Sequence, residues 1–103
     1  NQGRLRDFKA GVSQRPKGLI AELVSSDRYF EADAASAYCE AWALSFYLAE
    51  KMPRKYCDYL SLTSRKATFA DYPSAERLKD FTTIFGADLK LLEAQFLKFM
   101  SEL

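Results

Sequence analysis

The 103-residue chain contains no histidine. Histidine is the usual general base near neutral pH and the commonest zinc ligand. Ser-His-Asp and Cys-His pairs and the H-E-x-x-H zinc helix are therefore excluded within this chain. Cysteine is almost as scarce, with Cys39 and Cys57 alone, and without a C-x-x-C spacing the two make neither a zinc site nor a redox motif. If Met52 and Pro53 mark a helical hairpin, Cys39 lies roughly 20 Å before the turn and Cys57 roughly 6 Å after it. That offset is too uneven for a disulfide, whose Cα atoms stand within about 7 Å, so reduced core thiols are expected. Four glycines and three prolines leave no room for low complexity or a long linker. No apolar run approaches the roughly 20 residues of a membrane span, and the opening NQGRLRDFKAG has no apolar targeting core. An excess of one charge is missing too: 15 Lys and Arg face 14 Asp and Glu, a net +1. Neither nucleic acid nor a membrane is thus expected as a partner.

What the chain does have is an ordinary globular balance, 49% hydrophobic and 28% charged, at a length that fits one domain burying roughly 65% of its unfolded surface. It opens on Asn1 and not Met, and is read as a piece cut from a longer protein. Its densest apolar stretch is AYCEAWALSFYLAEKM, residues 37–52, with the only tryptophan. At about 100° per residue, Tyr38, Trp42, Leu44, Phe46, Leu48 and Met52 share one broad arc, leaving Glu40, Tyr47, Glu50 and Lys51 opposite. An arc this wide needs more than one neighbour. The reading is therefore an all-α compact bundle of about five helices around a central buried helix, residues 34–52.

Residues 1–17 carry Arg4, Arg6, Lys9, Arg15 and Lys17 against Asp7 alone. They are read as a basic lead-in segment, a strand or ragged helix anchored by Leu5, Phe8 and Val12, with the helical domain over 18–103. A lone basic stretch is usually a solvated face, which outweighs a phosphate-binding arm. Leu19, Ile20, Leu23 and Val24 predict a short helix over 17–25. Tyr29 and Phe30 plug the gap before the central helix, which Asp33 or Ser36 caps. Pro53 stops that helix near Met52 and opens the next, over 53–66, on Tyr56, Tyr59, Leu60 and Thr63. The stretch ATFADYPS reads as a loop anchored by Phe69 and Tyr72. Ser74 then caps a helix through Phe85 bearing Leu78, Phe81, Ile84 and Phe85, with Gly86 at its left-handed C-terminal turn. Asp88 caps a last helix striped by Leu89, Leu92, Phe96, Phe99, Met100 and Leu103. The expected core is Tyr38, Trp42, Phe46, Leu48, Leu60, Phe81, Phe85, Leu92 and Phe96.

The segments PKGLIAELVSSDRYF, AYCEAWALSFYLAEKMPRKYCDYL and DFTTIFGADLKLLEAQFLKFMSEL carry a resemblance. Its most specific part is Y-x-x-A-W-A-L (residues 38–44) paired with F-G-A-D-L (85–89). From Pro16 onward the chain resembles the C-terminal helical region of a family of unknown function (domain of unknown function 1570) grouped with gluzincin zinc peptidases. The resemblance implies that the zinc helix, its third-ligand glutamate and any zinc lie upstream, in a catalytic half that would be this chain's partner. It transfers no metal ligand, cofactor site or catalytic residue here, and the chain alone is not expected to be an enzyme.

Glu40, in E-A-W-A, opposes the apolar arc and is read as a solvated surface glutamate, not a ligand. Tyr38 has the right group to stabilise an oxyanion beside a metal, but an aromatic at helical spacing is more often packing, and packing is preferred. The pairs Asp27/Glu31 and Glu76/Asp80 are read as surface charges, and Trp42, Phe46 and Tyr59 as core in preference to a sugar- or peptide-binding platform. Two functions remain: a non-catalytic helical subdomain of a zinc-metallopeptidase-like protein flanking its catalytic half, or a free-standing helical protein-interaction module. The first leads to an expectation that Leu5, Phe8 and Val12 form an open apolar surface. Through it the chain would self-associate or bind the upstream half, with Arg4, Arg6 and Lys9 at the rim.

Overall fold

A computed structural model of the chain describes residues 1–68 and 71–103, with side chains up to residue 66 and from residue 71. Among these the fold is all-α, with seven helices and no strand. They are α1 (Gln2–Gly11), α2 (Leu19–Ser25), α3 (Arg28–Ala32), α4 (Ala34–Lys51), α5 (Pro53–Thr68), α6 (Ser74–Phe85) and α7 (Leu89–Ser101), with a single 3-10 turn over Val12–Gln14 after α1. The lead-in segment forms α1, and Tyr29 and Phe30 sit in the short α3. These two helices account for the difference from the five expected. The expected anchor Phe69 lies outside the described residues.

The helix ends follow the chemistry of their residues. Asn1, Asp33 and Asp88 each accept the backbone N–H three residues on, from Arg4, Ser36 and Leu91, at 3.0–3.2 Å, satisfying donors that the first turn leaves open. Pro53 is the first residue of α5, where its missing N–H costs nothing. Gly86 closes α6 at φ 113°, a conformation that favours glycine. Ser74 does not cap α6: the cap position falls on Pro73, with φ −63° and ψ 152°, and Ser74 is already inside the helix.

Helix α4 packs against α1, α3, α5 and α7 and is the centre of the bundle. The face it buries is Ala37, Glu40, Ala43, Leu44, Tyr47 and Leu48, turned by roughly a third of a turn from the arc of Trp42. This corrects several expectations at once. Tyr38 is 58% exposed, Trp42 packs against the core but only half-buried, and Phe46 is half-buried as well. The alanines let neighbouring helices approach closely, so the small-residue face, not the tryptophan face, turns inward. Leu60 is 46% exposed as well, because α5 meets only α4 and α6 among its close neighbours. Its narrow stripe is taken by Tyr56 and Tyr59, both packed on the core.

Leu48, Phe81, Phe85, Leu92 and Phe96 are all buried. Phe96 is fully enclosed and sits between Phe8 and Tyr47, with ring centroids at 5.7 and 5.6 Å. Tyr59, Phe81 and Phe85 form a second group at 4.6–5.4 Å. Tyr59 is thus in a different ring cluster from Trp42 and Phe46, whose rings meet at a tilt of 45° with centroids 5.6 Å apart. Phe8 is buried and Leu5 half-buried. The open apolar surface expected of Leu5, Phe8 and Val12 therefore reduces to Val12, 40% exposed. Cys39 is half-buried and Cys57 exposed, both free, so only Cys39 approaches the expected core thiol.

Truncating Phe96 to alanine should cost about 3–5 kcal/mol, as for large enclosed aromatics, and Trp42→Ala about half of that. Denaturant midpoints of the two variants check the order. A larger loss at Trp42 would show that the tryptophan, and not the Phe8–Tyr47–Phe96 group, is the centre of packing.

Candidate functional site

The chain leaves α1 through a 3-10 turn and reaches Arg15, which precedes Pro16. A residue before proline is pushed out of helical geometry, and Arg15 is extended, at φ −67° and ψ 132°. Gly18 then reverses the chain at φ 72°, a left-handed conformation that costs glycine little. The bend turns the Arg15 side chain inward, where it is only 6% exposed.

Inside, its Nε and Nη2 both lie 2.6 Å from Oε1 of Glu40 on α4, and Nη2 lies 3.1 Å from Oε1 of Glu93 on α7. The guanidinium also stands 5.7 Å from the centroid of the Phe96 ring. Glu93 does more than pair. Its two oxygens accept the backbone N–H groups of Gly18 and Ile20 at 3.1 and 3.3 Å. Helix α2 has no side-chain cap of its own, so a glutamate from α7 supplies what its first turn lacks. One cluster thus joins the segment after α1, α2, α4 and α7.

The expectation that Glu40 is a solvated surface residue is overturned: it is 5% exposed. It faces opposite Trp42 as the wheel requires, but that is the buried side. The missed signal was the i, i+7 pair Glu40 and Tyr47 on the same face as Ala37 and Leu44. Two carboxylates around one guanidinium leave the cluster with a net negative charge. Burial pushes the Glu40 carboxyl above its ordinary range, the nearby Glu93 adds to this, and the hydrogen bond and charge of Arg15 oppose it.

Arg15 and Glu40 also line an open cleft of about 890 Å³ between the α1 to Pro16 segment and the α3–α4 corner. Its walls include Arg4, Asp7, Val12, Tyr29, Asp33, Tyr38 and Cys39. Tyr38, the sequence candidate for oxyanion stabilisation, stands at this cleft with its ring edge-on to Phe30 at 5.0 Å. The Cys39 thiol, 3.5 Å from the carbonyl oxygen of Arg4, is held in its protonated form by burial and by Asp7 and Glu40, so it is a poor nucleophile. Among the described residues no group of three or more Cys, Asp or Glu is placed to hold a metal ion. Nor is any helix among them long and apolar enough to cross a membrane.

Across the molecule, Asp80 is also more than a surface charge. It accepts from Lys66 at 2.7 Å and from Tyr72 at 2.6 Å, tying α5, the loop before α6 and α6 together. Burial opposes its carboxylate, but these hydrogen bonds and the charge of Lys66 outweigh that and hold its pKa below the ordinary range. Burial and the bond to Asp80 raise the Tyr72 hydroxyl. Asp27 remains largely exposed, 3.3 Å from Arg77.

A carboxyl whose pKa is raised on folding favours the folded state most below its unfolded value and loses that contribution as pH rises through the folded one. Glu40→Gln keeps an oxygen for Arg15 and removes the titration. Its stability relative to the parent should therefore improve as pH is raised from about 4 to 8. Urea midpoints of both proteins across that range test this, and a difference that does not change with pH would contradict it.

No curated protein and no solved structure matches the chain. The F-G-A-D-L stretch at 85–89 lies beyond the one family match found, which begins at residue 1 rather than at Pro16. That match covers residues 1–70, and with them α1 to α5 and two sides of the cleft. On this ground the chain belongs to the family described as "Protein of unknown function (DUF1570)".

Proposed function

We propose that the chain is a non-catalytic helical subdomain of a zinc-metallopeptidase-like protein, supporting and flanking an upstream catalytic half. The reading draws on the family membership and on the resemblance of that family to gluzincins. The observation that carries it is the use made of the deeply buried charged cluster of Arg15, Glu40 and Glu93. Both Arg15 nitrogens that face the carboxylates and both Glu93 oxygens are engaged in joining helices, so its chemistry is structural. On this reading any zinc would be held by the upstream half. The exposed Val12 and Tyr38 beside the cleft favour a second reading, a free-standing helical interaction module that uses this face.

Sedimentation of the chain, alone and with the upstream segment at low salt, separates the two. The subdomain reading predicts self-association or a complex with that segment, together with no stoichiometric zinc and no peptide cleavage by the chain after dialysis. A strictly monomeric chain that ignores the upstream segment favours the module. Stoichiometric zinc or cleavage by the chain alone would sink the non-catalytic assignment.

A further inference from the structure

We infer that the outward face of α4 pairs with the same face of a second copy of this chain. The two helices run antiparallel about a two-fold axis, and Trp42 of each copy enters an apolar groove of the other. The inference deepens the self-association expected of the subdomain and to that extent rests on that reading.

Opposite the face that α4 buries, Tyr38, Trp42, Ser45 and Ala49 follow one another at spacings of four, three and four, the repeat of a helix-to-helix seam. No charged residue stands in this row. Tyr38 and Ala49 are exposed, and Trp42 and Ser45 are half-buried, so the row faces outward along three turns of the central helix.

The two ends of the row differ in size. Tyr38 and Trp42 are large, Ser45 and Ala49 small. A two-fold axis passing between Trp42 and Ser45 sets Tyr38 of one copy opposite Ala49 of the other, and Trp42 opposite Ser45. Each layer then holds one large and one small residue, and the helices can approach closely. A parallel pair would instead set tryptophan on tryptophan and alanine on alanine. Ser45 also lines an apolar groove of about 350 Å³ with Phe30, Ala41, Leu48, Tyr56 and Leu60. An indole presented opposite Ser45 has this groove to fill, and large aromatics seated in apolar pockets carry much of the affinity of an interface.

Charge selects the same direction. The segment before α4 ends in Glu31 and Asp33, and the turn after it carries Lys51, Arg54 and Lys55 with Glu50 against them. Among the described residues, Glu31, Arg54 and Lys55 have no ion-pair partner. Antiparallel pairing brings the acidic end of each α4 towards the basic end of the other, twice by symmetry. Parallel pairing would bring like charges together.

Trp42 is the only tryptophan, so its emission reports the contact directly. Diluting the chain should shift that emission to the red as sedimentation equilibrium shows dimer passing to monomer, and added salt should favour the monomer. Ala49→Arg, at an exposed helical position, should raise the dimer dissociation constant about 100-fold while circular dichroism stays native, as an unpaired charge in a packed interface does. Arg54→Glu should weaken the dimer about 3–10-fold, and Glu31→Lys in the same chain should restore it. Direction is read by cross-linking with oxidised glutathione in a background carrying Cys39→Ser and Cys57→Ser. Tyr38→Cys with Ala49→Cys should give a covalent dimer. Tyr38→Cys alone should not, its two copies lying roughly 16 Å apart along the seam, beyond the roughly 7 Å that a disulfide spans. If Ala49→Arg fails to fold, the charge swap and the cross-link decide. A chain that stays monomeric at millimolar concentration, a dimer that Ala49→Arg leaves intact, or cross-linking by Tyr38→Cys alone would overturn the inference. A monomer that nevertheless binds the upstream segment would overturn it while leaving the proposed function in place. Stoichiometric zinc in a chain that dimerises through α4 would do the reverse.

Discussion

One guanidinium fixes the relative positions of four parts of this bundle. Arg15 is in the segment after α1, Glu40 on α4 and Glu93 on α7, and through Glu93 the start of α2 is held as well. Buried ion pairs seldom add much net stability against an apolar replacement, because desolvation cancels most of the attraction. Their effect is on which arrangement is tolerated. Any packing that separated Arg15 from either carboxylate would leave a charge in the interior, at a cost of about 3–5 kcal/mol. Oily contacts such as Phe8 on Phe96 can slide. The Arg15 cluster cannot, so it sets the register of the helices around α4.

The Glu40 and Asp80 clusters respond to pH in opposite directions. The Glu40 carboxyl is raised, chiefly by burial, so its contribution fades as pH rises. Asp80, despite its burial, is lowered by donors from Lys66 and Tyr72. Its contribution is present above the ordinary carboxylate range and is lost as pH falls through its folded value. The α1–α4–α7 side therefore loses this contribution as pH rises above the ordinary carboxyl range, and the α5–α6 side loses its own as pH falls below it.

Much of the fold was legible because local chemistry decides it. Asp33, Pro53, Gly86 and Asp88 stand at helix ends, and the stripe of Leu92, Phe96 and Met100 is buried on α7. The face of α4 was only partly legible, since reading large apolar residues as inward put Tyr38 in the core and Glu40 in water, while Trp42 does pack against the core, half-buried. Close approach of helices instead favours Ala37 and Ala43, both fully enclosed, and Glu40 can enter only because Arg15 comes to meet it. That partner is 25 residues away in sequence and Glu93 is 78 from Arg15. No local pattern encodes either pairing. The cleft was hidden for the same reason, being built from α1 and α4 across the bend at Pro16 and Gly18. Membership in a family of unknown function supplies no chemistry for these residues.

The central claim, that Arg15 and Glu93 act as one unit in holding the helices, is tested most directly by a double-mutant cycle. Arg15→Met, Glu93→Gln and the double variant are compared with the parent by urea denaturation at neutral pH. Residues joined in a buried network should show a coupling energy of about 1–3 kcal/mol, the double variant losing less than the two single losses combined. Single losses that simply add, within about 0.3–0.5 kcal/mol, would contradict the claim and assign the register of the bundle to apolar packing alone.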